Sequence, residues 1–187
     1  YKKVLLLMYN VNKFYSLYKL DGTLEEPKPK KLIDKWVIIR LNDFVEKVTN
    51  YLEEYNTVKA TNEIKNFVDE LSTWYVRLNR ERFNEEEKEV SIILRFVLDR
   101  LAKVCAPIIP FTSEVIYHTI YNSEESVHLS LWPRHSNIKD IKLLENMDKI
   151  KQIVSDGLKE RDKNQIGLKW PLSKAVISGV KSLNEEE

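Results

Sequence analysis

A chain of 187 residues, 43% hydrophobic and 32% charged, can bury on the order of 70% of its unfolded surface, enough for one domain and the beginning of a second. Its 30 Lys and Arg against 29 Asp and Glu leave a formal net charge of +1, which excludes a globally basic coat protein and a disordered basic tail. One cysteine excludes a disulfide scaffold, and no apolar run approaches the ~20 residues of a membrane span. With no signal peptide visible, these features point to a cytoplasmic protein without membrane contact.

Val4, Leu7, Met8, Val11, Tyr15 and Tyr18 recur at helical spacing and predict a first helix over residues 1–20, closed by Asp21-Gly22. Since the chain opens on Tyr1 and is helix-like almost at once, it is expected to begin inside something larger. Residues 25–31, with Pro27 and Pro29, read as a linker, because proline blocks helix continuation. Asp34 is the expected N-cap of a second helix to about residue 55, with Val37, Leu41, Phe44, Val45, Val48, Leu52 and Tyr55 inward. A third, continuous helix is expected over 58–82, with Ile64, Phe67, Val68, Leu71, Tyr75 and Leu78 as its stripe. The fourth follows Asn84 and places Val90, Ile93, Leu94, Val97, Leu98, Leu101, Val104 and Cys105 inside.

Pro107 and Pro110 end that helix and turn the chain into a short fifth one over 112–121. Residues 122–137 are irregular, with an extended run at Val127–Leu129. A sixth helix over 141–165 carries Leu144, Met147, Ile150, Ile153, Val154 and Leu158 on one side, and Ala175-Val176-Ile177 reads as a strand. Short connections make consecutive long helices antiparallel neighbours. The expected fold is therefore all-α: an antiparallel up-and-down helix bundle over 1–137, then a long helix and a small mixed α/β extension over 138–187.

Four glycines, Gly22, Gly157, Gly167 and Gly179, cannot build a phosphate loop. His118, His128 and His135 have no zinc-site spacing around them, and Cys105 on an apolar stripe is no nucleophile. His128 is read as a hydrogen-bonded structural residue. No catalytic residue, metal site or cofactor site is expected. Two clusters remain. In the stretch Val68 to Phe83, Arg77 and Arg80 share a helical face, while Leu71, Tyr75 and Leu78 share another. This arrangement predicts an anion site, in which Arg80 and Arg82 meet phosphates and Arg77 braces a carboxylate; the alternative pairs the arginines with Asp69, Glu70 or Glu81. Trp74 and Tyr75 are read as core. The second cluster sets Lys159, Arg161, Lys163, Lys169 and Lys174 around Trp170, against Glu160 and Asp162; its alternative is a solvated helix C-terminus. Tyr1 to Lys35 holds eight basic and four acidic residues, whereas Glu85, Glu86, Glu87 and Glu89 read as a solvated surface that repels RNA and caps helix four.

The stretch Val68 to Phe83 resembles the Asp-Leu-Ser-x-Trp-Tyr-Val/Ile-Arg-x-x-Arg-x-Arg-Phe segment of class I aminoacyl-tRNA synthetases of the isoleucine type. Three more blocks follow in that family's order. Ala106-Pro107 through Pro110-Phe111 to Glu114 is similar to Ala-Pro-Phe-x-Pro-Phe-x-x-Glu. Ser126-Val127-His128-Leu129 with Trp132-Pro133 is similar to Ser-Val-His-Leu-x-x-Trp-Pro. Arg161 with Gly167-Leu168-Lys169-Trp170-Pro171-Leu172 is similar to Arg…Ile-Lys-x-x-Pro-Leu. Asp34-Lys35-Trp36 matches an Asp-Arg-Trp helix start.

The resemblance implies a helical anticodon-binding domain that follows the catalytic core. Its partners would be tRNA(Ile) and the rest of the synthetase chain, with its catalytic and editing domains. It implies RNA contact by Arg77, Arg80, Arg82, Lys159, Arg161, Lys163, Lys169 and Trp170. The His-Ile-Gly-His-like and Lys-Met-Ser-Lys-Ser-like signatures are missing, so ATP and Mg2+ are expected in the parent enzyme's catalytic domain and this fragment is expected to be non-catalytic. Asn84 stands where the family has Trp, and Trp170 where it often has Arg. The alternatives are the same domain of a valine or leucine synthetase, or a helical protein-interaction scaffold.

Overall fold

The stripe read in the first helix is the face that packs. In the computed structural model, which describes residues 2–20, 22, 24, 26–122, 125–134, 136, 140–174, 176 and 177, α1 spans Lys2–Leu17 and buries Met8, Val11 and Tyr15. Helix α2 spans Leu32–Glu53 and buries Trp36, Val37, Leu41, Phe44, Val45 and Val48. It starts earlier than expected. Lys31 occupies the cap position without a side-chain hydrogen bond, and Asp34, the expected cap, is turned inward and fully buried. Tyr55 is exposed, with φ of 56° in the left-handed region, and so closes α2 instead of joining its stripe. Asn56 then caps α3, Thr57–Glu70, by accepting a hydrogen bond from the Lys59 amide.

The expected third helix is not continuous. A wide π-helical turn occupies Leu71–Val76, and a short α4, Arg80–Asn84, follows a break at Asn79. The innermost positions become Leu71, Tyr75, Asn79 and Phe83, each at most 1% exposed and four residues apart. At 3.6 residues per turn a straight α-helix would swing such a series by about 40° per step, or about 120° over three steps. The wide turn absorbs that swing. Leu78, assigned to the stripe by α-helical spacing, is consequently 57% exposed, and Asn79 takes an inward place. Helix α5, Lys88–Cys105, buries every residue of its expected stripe. Helix α6, Pro110–Tyr121, starts on a proline whose missing N–H costs nothing there and ends at Asn122 with φ of 49°. Val127–Leu129 is a single 3-10 turn rather than an extended run.

The chain divides into two compact units, Tyr1–Lys139 and Asp140–Glu187. In the first, Phe44 stacks on Phe67 at 4.4 Å between ring centroids and Tyr75 Oη reaches Asp34, which sets α2 antiparallel to α3. Lys3 with Asp69 and Tyr18 with Asn84 keep one offset of 66 residues, so α1 runs parallel to the α3–α4 rod. Lys103 lies over the Tyr117 ring and Tyr121 Oη donates to Asp99 at 2.8 Å, so α6 runs antiparallel to α5. Cys105 is fully buried, and burial pushes its thiol far above the ordinary range, so it stays a neutral core residue.

The second unit is α7, Ile141–Lys163, capped by Asp140, whose carboxylate accepts from the Leu143 amide at 3.0 Å. Val176 and Ile177 have no regular structure, and no strand occurs among the described residues. Tyr1, Asp21, Glu25, His135, Asn137, Ala175 and Gly179 lie outside the described residues.

Candidate nucleic-acid interface

The α3–α4 break carries the first cluster. Its centre is Arg82. Its two terminal nitrogens fork onto Asp34: Nη1 donates to Oδ1 at 2.9 Å and Nη2 to Oδ2 at 2.8 Å. On the other edge, Nε donates to Glu87 Oε2 at 2.8 Å and Nη2 to Oε1 at 2.7 Å. Nη1 donates a further bond to Asn79 Oδ1 at 2.7 Å. Asn79 in turn donates from Nδ2 to the Tyr75 carbonyl at 2.8 Å, and Tyr75 Oη donates to Asp34 Oδ1 at 2.9 Å. Lys31 Nζ closes the outer side on Glu87 at 3.2 Å. The hydrogen bonds to Glu87 raise the Arg82 pKa further above its ordinary value, and those from Arg82 hold the Glu87 carboxyl at about 2. Tyr75, buried beside Asp34, is raised well above the ordinary phenol range by desolvation and by that carboxylate.

The bracing role expected of Arg77 falls to its neighbour in the cluster. Arg82, expected on phosphate, is the residue that braces carboxylates. Arg77, expected to brace, is exposed, as is Arg80, and neither side chain makes an ion pair or hydrogen bond among the described residues. The same end carries the exposed Lys28, Lys30 and Lys35, with the exposed acids Glu81, Glu85 and Glu86 beside them. Glu87 and Glu89 are not simply solvated: Glu87 clasps Arg82, and Glu89 accepts from the Lys30 amide at 3.2 Å. Tyr75 is core as expected, while Trp74 is only half-buried. A second internal cation, Arg40, is held by Glu63 at 2.8 Å and Glu70 at 2.7 Å and lies over the Phe67 ring. Sequence spacing gave no notice of the partnerships of Asp34, Asn79 or Arg40. The one local hint was polar Asn79 four residues after buried Tyr75.

The second cluster lies on α7 and the tail after it. Lys159 pairs with Asp156 at 3.0 Å and Lys163 with Glu160 at 3.8 Å, each pair largely exposed and therefore weak. Arg161 donates from Nη2 to the carbonyls of Gly167 and Trp170, the latter at 2.7 Å, and so folds the tail back on the helix end. Lys169 is exposed and Trp170 is 70% exposed. His128, expected to be a hydrogen-bonded structural residue, is exposed, and its backbone amide donates to Ser126 Oγ at 3.2 Å. No group of His, Cys, Asp or Glu able to hold a metal occurs among the described residues, and none of their helices is long and apolar enough to cross a membrane.

An all-α bundle with exposed guanidinium groups at a helix break defines the class: a helical module able to meet anions. Residues 34–177 match the family described as the anticodon-binding domain of tRNA ligase, and the chain belongs to that family. That membership selects RNA over the interaction scaffold. The chain is 38% identical to an isoleucine–tRNA ligase of Clostridium kluyveri over 97% of its own length, and 36% identical to one of Clostridium acetobutylicum over 95%. It is 30% identical to an isoleucine–tRNA ligase of Streptomyces avermitilis over 99% of its length. In each case it covers 19% of the relative, so it spans about a fifth of those proteins.

Proposed function

We propose that this chain is the anticodon stem-loop binding domain of an isoleucine–tRNA ligase, and that Arg77 and Arg80 make its principal backbone contacts. The observation that carries this reading is the state of the three arginines: Arg82 is consumed by Asp34, Asn79 and Glu87, while Arg77 and Arg80 stand exposed without an acid partner among the described residues. Guanidinium groups in that state suit the phosphates of an RNA hairpin, and fixed phosphate contacts set the register of the bound molecule. Lys159, Lys163, Lys169 and Trp170 form a second, weaker contact set, since exposed ion pairs exchange readily for phosphate and an exposed indole can stack on a base. Arg161 supports that set by holding its tail.

The domain's share of the reaction is positional. Gripping tRNA(Ile) at the anticodon end orients the acceptor end toward a catalytic domain elsewhere in the parent enzyme, where ATP and Mg2+ would be used. Such binding lowers KM and adds discrimination between tRNAs. The parent is expected in the cytoplasm, where aminoacylation takes place.

A filter-binding titration against isoleucine and valine tRNAs across a salt series tests this. The isoleucine tRNA should bind more tightly, and log K should fall linearly with log salt. Replacing Arg77 and Arg80 together by Ala should reduce the slope by about 0.7–0.9 for each phosphate that is no longer neutralised. Equal affinity for both tRNAs would remove the isoleucine assignment, and an unchanged slope would remove the two arginines.

A further inference from the structure

We infer that Arg82 is a positioning residue for the RNA contact: clasped by Asp34, Asn79 and Glu87, it fixes the turn from which Arg77 and Arg80 project and touches no RNA itself. This rests on the functional reading above. A guanidinium group has five N–H donors in a planar fork. Here Nε is spent on Glu87, Nη1 on Asp34 and Asn79, and Nη2 on Asp34 and Glu87, so none remains for a phosphate. The four charged members, Arg82, Lys31, Asp34 and Glu87, sum to zero, so the clasp adds little field of its own.

Its mechanical consequence is larger. Two paths lead from Arg82 back to Tyr75, one through Asn79 Nδ2 to the Tyr75 carbonyl, the other through Asp34 to the Tyr75 hydroxyl. Together they bridge the last turn of the π-helical segment to α4. Phe83, fully buried edge-on to Phe14 at 4.9 Å between centroids, pins α4 from its core side. With residues 75, 79, 82 and 83 held, the backbone that carries Arg77 and Arg80 is fixed, and both project from the outer face. Preorganised contacts bind more tightly because less freedom is lost on binding.

The test is a double-mutant cycle on the full 187-residue chain, with an isoleucine-tRNA transcript as probe. Arg82→Lys keeps the charge but cannot span two carboxylates and an amide. It should weaken binding about tenfold, the order of one charge-assisted hydrogen bond. In the Arg77→Ala/Arg80→Ala background it should have no further effect, because there is no longer anything to position. Asp34→Asn and Glu87→Gln should behave in the same way, and Glu87→Gln, on the solvent side, serves if Arg82→Lys does not fold. An effect of Arg82→Lys that persists undiminished in the double-alanine background would make Arg82 itself a contact, or its role merely structural, and would overturn the inference. Wild-type affinity in Arg82→Lys would do the same. If the double-alanine variant binds as wild type, the functional reading falls first and the inference falls with it.

Discussion

Glu87 accepts two hydrogen bonds from the Arg82 guanidinium and one from Lys31, and these outweigh partial desolvation to hold its carboxyl at about 2 against an ordinary 4.5. A carboxyl depressed on folding stabilises the native state above its unfolded pKa, and that stabilisation is lost as pH falls through the folded value. Urea unfolding followed from pH 7 downward should show stability declining between pH 4.5 and about 2, and Glu87→Gln should flatten that decline. Parallel curves for the two proteins would mean that the clasp is open in solution. Asp34 is the more severe position because its side chain is wholly buried while that of Arg82 is 12% exposed. Removing one member of a buried pair leaves the other charge uncompensated, so Asp34→Ala should cost ~3–5 kcal/mol in the same measurement. A cost below ~1 kcal/mol would place Asp34 in solvent.

At the scale of elements, the π-helical turn decides which side of the α3–α4 rod faces the core. Periodicity located α5 residue by residue, because a regular α-helix buried along one stripe carries its register in the sequence. It failed at Leu78, where one wide turn shifts the phase and no residue type announces it. It failed again at Asp34, whose partner Arg82 lies 48 residues away; an acid at a helix start looks the same whether it caps the helix or turns inward to a distant cation. The arginine cluster was therefore legible as a cluster, while the division of labour within it was not. Two substitutions separate the registers. Leu94→Ala should cost ~2–5 kcal/mol through a core cavity, whereas Leu78→Ala should stay within ~0.5 kcal/mol. Comparable losses at both positions would restore the straight α-helical register and remove the turn.

At the scale of the whole molecule, the first unit separates its chemistry between its two ends. The α3–α4 break carries Arg77 and Arg80, while the opposite end, where α1 and α3 begin, holds a groove of about 400 Å³ whose apolar wall of Val4, Leu5, Ile64, Ile108 and Ile109 is joined by Thr61, Asn62 and Lys65. Within this unit, the buried Asp34 pairs with Arg82 and Tyr75, and the buried Arg40 with Asp43, Glu63 and Glu70. The donors of Arg82 are therefore spent inside the protein, and on the proposed reading the binding energy comes from the exposed Arg77 and Arg80, which can orient a polyanion. The motifs that carry ATP chemistry in the resembled synthetases are absent from these 187 residues. The chain should accordingly show no isoleucine-dependent exchange of pyrophosphate into ATP at any concentration at which it binds tRNA. Exchange above the background of a mock preparation, abolished by Arg77→Ala/Arg80→Ala, would show that this end of the bundle performs chemistry and would replace the positional role with a catalytic one.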